Sequence, residues 1–539
     1  METYEKPRGW YRWYVLGLFT LVYAFNFIDR QIVSILAPSL KADLGLTDAQ
    51  VGLLFGTAFA LFYALFGLPL AKIADGWHRV RTLSIGLTIW SAMTAASGFA
   101  TSFGALAAAR IGVGVGEASA APSAFSVLQD YFTKAERATA LAIYASGIYI
   151  GAGVSLIIGG QIVSWWEAAY PIRAEAPLGF AGWQAAYLAV GLPGILLALL
   201  VILTVREPVR GAIDGNPQPG AAGPFGAAMR ELGALFPPFS LFTLRSLGAS
   251  AALIWRNLII LVLSIVAVWA LTVLTNSFLT PAKLTPMFVV GGFGITTNLV
   301  QWTAMGIALY AVASWATALR LRDPVAAALM TRTPSFVALS VAGGLHSFAS
   351  YGFSAFLFLY GTQSLGMKAA DGFTLGAVAT IAGGLGTVLG GLFADRARVW
   401  HPSGRIYVAC LAVFFSTIFS IWQLSTTSVT QFYIAYFLGL LSSTMWLGSI
   451  FATGQDHVLP RMRGSATAIQ FLGINLIGLG LGPYWVGLAS DITGDLRLAM
   501  MSVLLLAPIV IGLFLFAAAR FPAVETSVIE RARAAGEPL

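Results

Sequence analysis

Long apolar runs separated by short polar intervals repeat from one end of this chain to the other. Runs of about 18 or more residues can cross ~30 Å of hydrocarbon as helices, in which every backbone N–H and C=O is satisfied within the segment. The pattern predicts spans near 13–40, 48–74, 82–102, 105–130, 138–165 and 184–205, then 252–276 and 287–318. Six more follow near 334–362, 371–394, 405–424, 428–455, 464–490 and 497–519. Between the sixth and seventh spans lies "REPVRGAIDGNPQPGAAGPFGAAMRELGALFPPF" (206–239), whose Gly and Pro content predicts a loop with a short surface helix. Fourteen spans put both termini on one side, and the fold class predicted is an all-α membrane protein.

Composition agrees. The chain is 58% hydrophobic and 10% charged, against about 25% charged for soluble domains. Cys410 is the single cysteine and the four histidines lack ligand spacing, so no disulfide, metal site or cofactor is expected. The first span is full length, which argues against a cleavable signal peptide. The formal charge of +8 reports topology rather than nucleic-acid binding: with the N-terminus inside, 24 of the 31 Lys and Arg fall in cytoplasmic segments. Five (Lys41, Arg173, Lys283, Lys368, Arg497) fall outside and two within spans. That is a strong positive-inside bias, with both termini cytoplasmic.

The chain also repeats itself. "GLFADRAR" (391–398) echoes "AKIADGWHRVR" (71–81), and "RMRGSATAIQFLGINLIGLGLG" echoes "AERATALAIYASGIYIGAG". Two six-helix halves in parallel repeat are the expectation for a secondary transporter. The predicted organisation is a six-helix bundle over 1–205, a linker with the extra pair of spans over 206–333, a second bundle over 334–522 and a cytoplasmic tail over 523–539.

Four ionisable residues sit deep in this apolar background: Asp29 and Arg30 in span 1, Arg110 and Glu117 in span 4. Counting from the span ends places all four at similar depth. Arg110 and Glu117 lie about two turns, ~10 Å, apart on one helix face. Glycines 112, 114 and 116 let another helix approach that face closely. Each charge is costly alone in lipid, but an opposed set facing a wet cavity is tolerable. One reading is a structural ion cluster locking helix to helix. The other makes Asp29 and Glu117 proton-coupling sites and Arg30 and Arg110 anion-binding sites, the guanidinium suiting phosphate or carboxylate through paired hydrogen bonds. An anion arriving at an arginine would compete with a carboxylate and change its proton affinity, which is a coupling mechanism. Tyr144, Tyr149 and Asn475, with Gln470, occupy corresponding repeat positions and are candidates either to line the cavity or to make ordinary interhelical hydrogen bonds. His346, mid-span, is a candidate substrate contact or a core histidine.

The acidic-then-basic loops after spans 2 and 8 of the twelve-helix count resemble those of the major facilitator superfamily. Gly391, Asp395 and Arg396 fit its loop pattern, as do Asp75, Arg79 and Arg81, with Ala71 where glycine would stand. "NFIDR" in span 1 and "RIGVGVGEASAAPSAFSVLQDYF" in span 4 resemble the Spinster family of lysolipid and sphingolipid-phosphate transporters. The resemblance implies a major facilitator fold in a bacterial inner membrane and covers nearly the whole chain except the extra pair of spans, which the span count reads as an inserted two-helix hairpin. Asp75, Arg79, Arg81, Asp395, Arg396 and Arg398 are candidates either for the cytoplasmic network between the halves that closes the inward gate or for an ordinary solvated positive-inside loop. The antiport-associated glycine pattern is partial in "GAGVSLIIGG", so symport and antiport both stay open. The expected function is proton-coupled transport of an amphiphilic anion by alternating access, as a monomer, its partners being substrate, protons and membrane lipid. A small water-soluble organic anion is the alternative substrate. With no Walker loop and no catalytic constellation, neither ATP-driven transport nor an enzyme is expected.

Overall fold

The computed structural model describes residues 9–133, 136–214, 217, 219–284 and 286–538. Lys6, Arg8 and Lys134, counted above among the cytoplasmic charges, lie outside the described residues. Six long helices come first: α1 (Gly9–Leu44), α2 (Asp48–Gly76), α3 (Arg79–Ser97), α4 (Phe103–Tyr131), α5 (Arg137–Ala169) and α6 (Gly182–Thr204). Two follow, α7 (Ala251–Ser277) and α8 (Thr297–Arg322). The last six are α9 (Pro334–Leu365), α10 (Gly372–Trp400), α11 (Gly404–Ser425), α12 (Val429–Gln455), α13 (Pro460–Thr493) and α14 (Leu496–Thr526).

Thirteen helices among the described residues are long and apolar enough to cross a membrane. The remaining predicted span is α3, whose 19 residues include Thr82, Ser84, Ser91, Thr94 and Ser97, all buried against protein rather than facing outward. A helix enclosed by its neighbours can carry such hydroxyls. Between α7 and α8 a small antiparallel ribbon, β1 (Phe288–Val290) and β2 (Phe293–Ile295), turns through Gly291 and Gly292. Both have positive φ (56° and 82°), as the tight hairpin turns that follow strand twist require.

Contacts divide the chain into two compact units. The first holds residues 1–46, 62–232 and 367–380; the second holds 47–61, 233–366 and 381–539. Most of the region predicted as a linker, including α7 and α8, thus packs with the second unit. Helix α2 divides at Leu61, and its first half is an element of the second unit.

In the first unit α1 and α5 pack backbone to backbone. A Cβ on Gly151 would lie 2.2 Å from the Ala24 carbonyl oxygen and one on Gly147 2.8 Å from that of Thr20. Ser155, one turn on, donates to the Ile28 carbonyl at 2.8 Å. Small residues at four-residue intervals are the means of close helix contact where lipid supplies no hydrophobic drive between helices. Helix α3 lies against α4 in the same way, Gly116 facing the Gly86 carbonyl. In the second unit Leu339, Ala342, Ile406, Val413, Phe514 and Phe521 form a core among α9, α11 and α14. A short helix, Val528–Ala534, closes the chain, with Ala532 buried and Arg531 donating to Thr333 Oγ1 at 2.7 Å.

Candidate functional site

The four membrane-depth charges converge within the first unit. Arg30 Nε donates to Glu117 Oε2 at 2.7 Å, joining α1 to α4. Arg110 Nη1 donates to the main-chain carbonyl of Asp29 at 2.7 Å, so the second arginine grips the helix backbone beside the acid. Asp29, Arg110 and Glu117 are at most 1% exposed and Arg30 is 14% exposed at its side chain. The Glu117–Arg30 pair has matched charges. Asp29 is different: neither carboxylate oxygen accepts a hydrogen bond from the described residues, although Arg110, Glu117 and Thr94 stand near enough to act on it. A buried carboxylate lacking donors is costly to hold ionised.

The remainder of the pocket is aromatic. The Arg30 guanidinium lies 4.8 Å from the Phe27 ring centre and 4.5 Å from that of Tyr63. Tyr144 stacks on Tyr23 with centroids 4.4 Å apart and planes 8° from parallel, and meets Phe125 edge-on at 5.3 Å. A cation between ring faces gains from their quadrupoles, more so away from water. Asn26 and Tyr187 are buried beside the carboxylates. Residue-by-residue reading missed Phe27, Tyr23, Tyr63 and Asn26. Tyr23, Phe27 and Arg30 follow i, i+4, i+7 spacing on α1, so that stripe was open to detection. Tyr63 comes from another helix and had no such signal. Gly112 and Gly116 do admit a neighbour, α3, through Met93 and Trp90.

Of the other candidates, Tyr144 is buried in this aromatic group and Tyr149 is half-buried on the same helix. His346 and Asn475 belong to the second unit. His346 Nε2 is 3.5 Å from the Ser443 carbonyl, its ring edge-on to Trp446 at 5.0 Å. It lines a cavity of about 110 Å³ with Ser350, Ser416, Gln423 and Tyr436. Asn475 bonds to the Phe471 carbonyl of its own helix at 2.8 Å, where α13 widens into a π-turn over Ile474–Leu479.

The loop residues divide into two kinds. Arg79 is 1% exposed and knotted into the first unit: Nε meets Glu207 Oε1 at 2.6 Å, Nη1 pairs with Asp130, and Nη2 donates to the Pro208 carbonyl at 2.7 Å. Arg398 pairs with Glu525 and caps the Pro402 carbonyl. By contrast Asp75, Arg81, Asp395 and Arg396 are exposed, Asp395 pairing with Arg405 at 3.0 Å.

The sequence pattern of the Major Facilitator Superfamily matches residues 19–345, about three-fifths of the chain. The chain belongs to the major facilitator superfamily. It is similar to an MFS-type efflux pump of Mycolicibacterium smegmatis, 31% identical over 36% of this chain and 42% of the relative. A hexuronate transporter of Bacillus subtilis is 26% identical over 42% of this chain and 51% of its own length. Human Protein spinster homolog 1 is 24% identical over 88% of this chain and 72% of its own. The matched region spans between about a third and a half of the first curated relatives. Among solved structures, a bacterial homolog of the human lysosomal transporter Spinster, crystallised inward-facing and unoccupied, has the same fold. Its TM-score is 0.69 at 24% identity, covering 96% of this chain and 99% of that one. This major facilitator protein is therefore a multi-pass integral membrane protein that has the fold of the bacterial Spinster homolog and is similar in sequence to the human one.

Proposed function

We propose that the chain is a proton-coupled secondary transporter of an amphiphilic anion, a lysophospholipid-like or sphingolipid-phosphate-like molecule, working by alternating access in a bacterial inner membrane with both termini cytoplasmic. The observation that carries the reading is the Arg30–Glu117 pair, 2.7 Å long, buried next to a second carboxylate, Asp29, which pairs with neither arginine side chain among the described hydrogen bonds and ion pairs. An anionic headgroup at Arg30 competes with Glu117 for the same guanidinium. Glu117 released from Arg30 takes a proton, and Asp29 exchanges it. Arg110, bound to the α1 main chain, positions Asp29 and adds positive potential.

The aromatic faces of Phe27, Tyr63 and Tyr23 support an amphiphile, because they offer apolar contact directly beside the cation. The hexuronate-transporting relative supports the second reading, a small water-soluble organic anion. In either case the exposed Asp75, Arg81, Asp395 and Arg396 serve the cytoplasmic gate, and the buried Arg79 and half-buried Arg398 hold its loops in shape. The transporter works as a monomer. Competition binding to purified protein tests the substrate class. A lysolipid displacing a fluorescent lysolipid, with no displacement by glucuronate, supports the amphiphile; the reverse overturns it.

A further inference from the structure

The inserted helices α7 and α8 are strongly apolar outward: Trp255, Ile259, Val262, Val266, Trp269 and Val273 on α7 are exposed. Polar residues of the pair face inward, and one group of them meets α2 and α13. Gln301 is wholly buried, accepts from Thr57 Oγ1 at 2.5 Å and donates to the Gly480 carbonyl at 3.1 Å. Thr57 belongs to the first half of α2 and Gly480 to α13, so one amide spans the seam between them. Nearby, Pro483 has no N–H to return to the α13 carbonyls, and Gly56 sits against the Leu479 carbonyl, where a Cβ would be 2.2 Å away.

Two further ties lie along the same seam. Asn298 accepts from Tyr484 of α13 at 2.8 Å and donates to Asn276 of α7 at 2.8 Å. At the loop end, Lys283 donates to the Asp491 carbonyl at 2.5 Å and stands 3.5 Å from its carboxylate. That carboxylate caps α2, accepting from the N–H groups of Asp48 (3.2 Å) and Ala49 (2.8 Å). Leu279 and Trp302 of the insertion close an apolar cluster with Ala49, Tyr484 and Leu488.

We propose that the inserted pair is a built-in brace: its polar face fastens the first half of α2 to α13 and sets how readily that seam opens. A peripheral lipid-facing hairpin would have no use for buried Asn298 and Gln301 in a hydrocarbon setting where each needs a partner. Their partners lie on α2, α13 and α7, so the insertion is keyed to this seam. Opening it exposes the amide of Gln301 and the carboxylate of Asp491 together, so loosening any tie shifts the balance toward the open seam.

The test uses full-length protein in liposomes, with Cys410→Ala and a reporter Ala49→Cys in the seam. Gln301→Ala and, independently, Lys283→Gln in the solvent-accessible loop are each predicted to raise the rate of labelling by a membrane-impermeant maleimide about tenfold. Arg256→Ala, which removes a bond to Thr317 inside the insertion, is predicted to leave the rate unchanged. If Gln301→Ala fails to fold, Lys283→Gln alone decides. Labelling unaltered in a folded Gln301 or Lys283 variant, or raised equally by Arg256→Ala, overturns the brace.

Discussion

In the proposed mechanism Arg30 is the pivotal residue, because it faces a carboxylate on one side and aromatic rings on the other. Lysine at this position keeps the charge but loses the planar fork and its fit between ring faces. Arg30→Lys is expected to weaken lysolipid binding about tenfold and Arg30→Ala more, measured by equilibrium binding; equal affinity for Arg30→Lys and wild type would place the substrate elsewhere. The presence of four charges at one depth was legible from spacing alone. Their pairing was not. Nothing in sequence separation says whether Arg30 meets Glu117 or Asp29 meets Arg110, since the choice depends on how α1 is rotated against α4. The face α1 gives to α5 is set by Gly147 and Gly151, far from it in sequence.

Helix α5 shows what element-level packing demands. Gly151→Val would drive a branched side chain into the Ala24 backbone, beyond what side-chain repacking can relieve, and is expected to destabilise the protein by about 1–3 kcal/mol or more. The check is thermal unfolding in detergent; Gly17→Val, with open space around its Cβ position, is the matched control. The stretch read as a partial antiport motif, "GAGVSLIIGG", thus contains the contact surface for α1. The C-terminal helix adds a pH-sensitive tie. Arg461 bonds Glu537 at 2.7 Å and Asp323 at 2.7 Å. Asp323 sits below the ordinary carboxylate range: burial is the largest single influence and pushes upward, but the Arg461 hydrogen bond and charge, with the backbone N–H groups of Ala326 and Val325, together outweigh it. Glu537 is lowered chiefly by its hydrogen bond from Arg461. Depressed carboxylates stabilise the folded arrangement at pH above their usual values and lose that contribution as pH falls through the folded ones. Hydrogen exchange over residues 528–538 is expected to be slow at pH 7 and disproportionately faster below about pH 4. Arg461→Ala should remove the difference, and a pH-independent profile in the wild type would refute the tie.

At the scale of the molecule, hydropathy marked the long helices and the internal repeat pointed to two halves, both consequences of physics that acts locally along the chain. It could not assign residues 47–61 and 367–380, which pack with a unit other than that of their sequence neighbours. Such exchanges are decided by glycine-backed contacts such as Gly52 on Pro483 and Gly153 on Gly376, whose partners lie hundreds of residues away. The insertion's ties to α2 and α13 were hidden for the same reason. The central claim, that a buried acid pair couples proton movement to anion transport, is tested most directly by one measurement: substrate uptake into liposomes under an imposed pH gradient, for wild type and Asp29→Asn, with binding measured on the same preparations. The account predicts gradient-driven uptake by wild type and its loss in Asp29→Asn, with substrate binding retained. Uptake by Asp29→Asn that follows the wild-type pH dependence would contradict it and leave the four charges as a lock between α1 and α4.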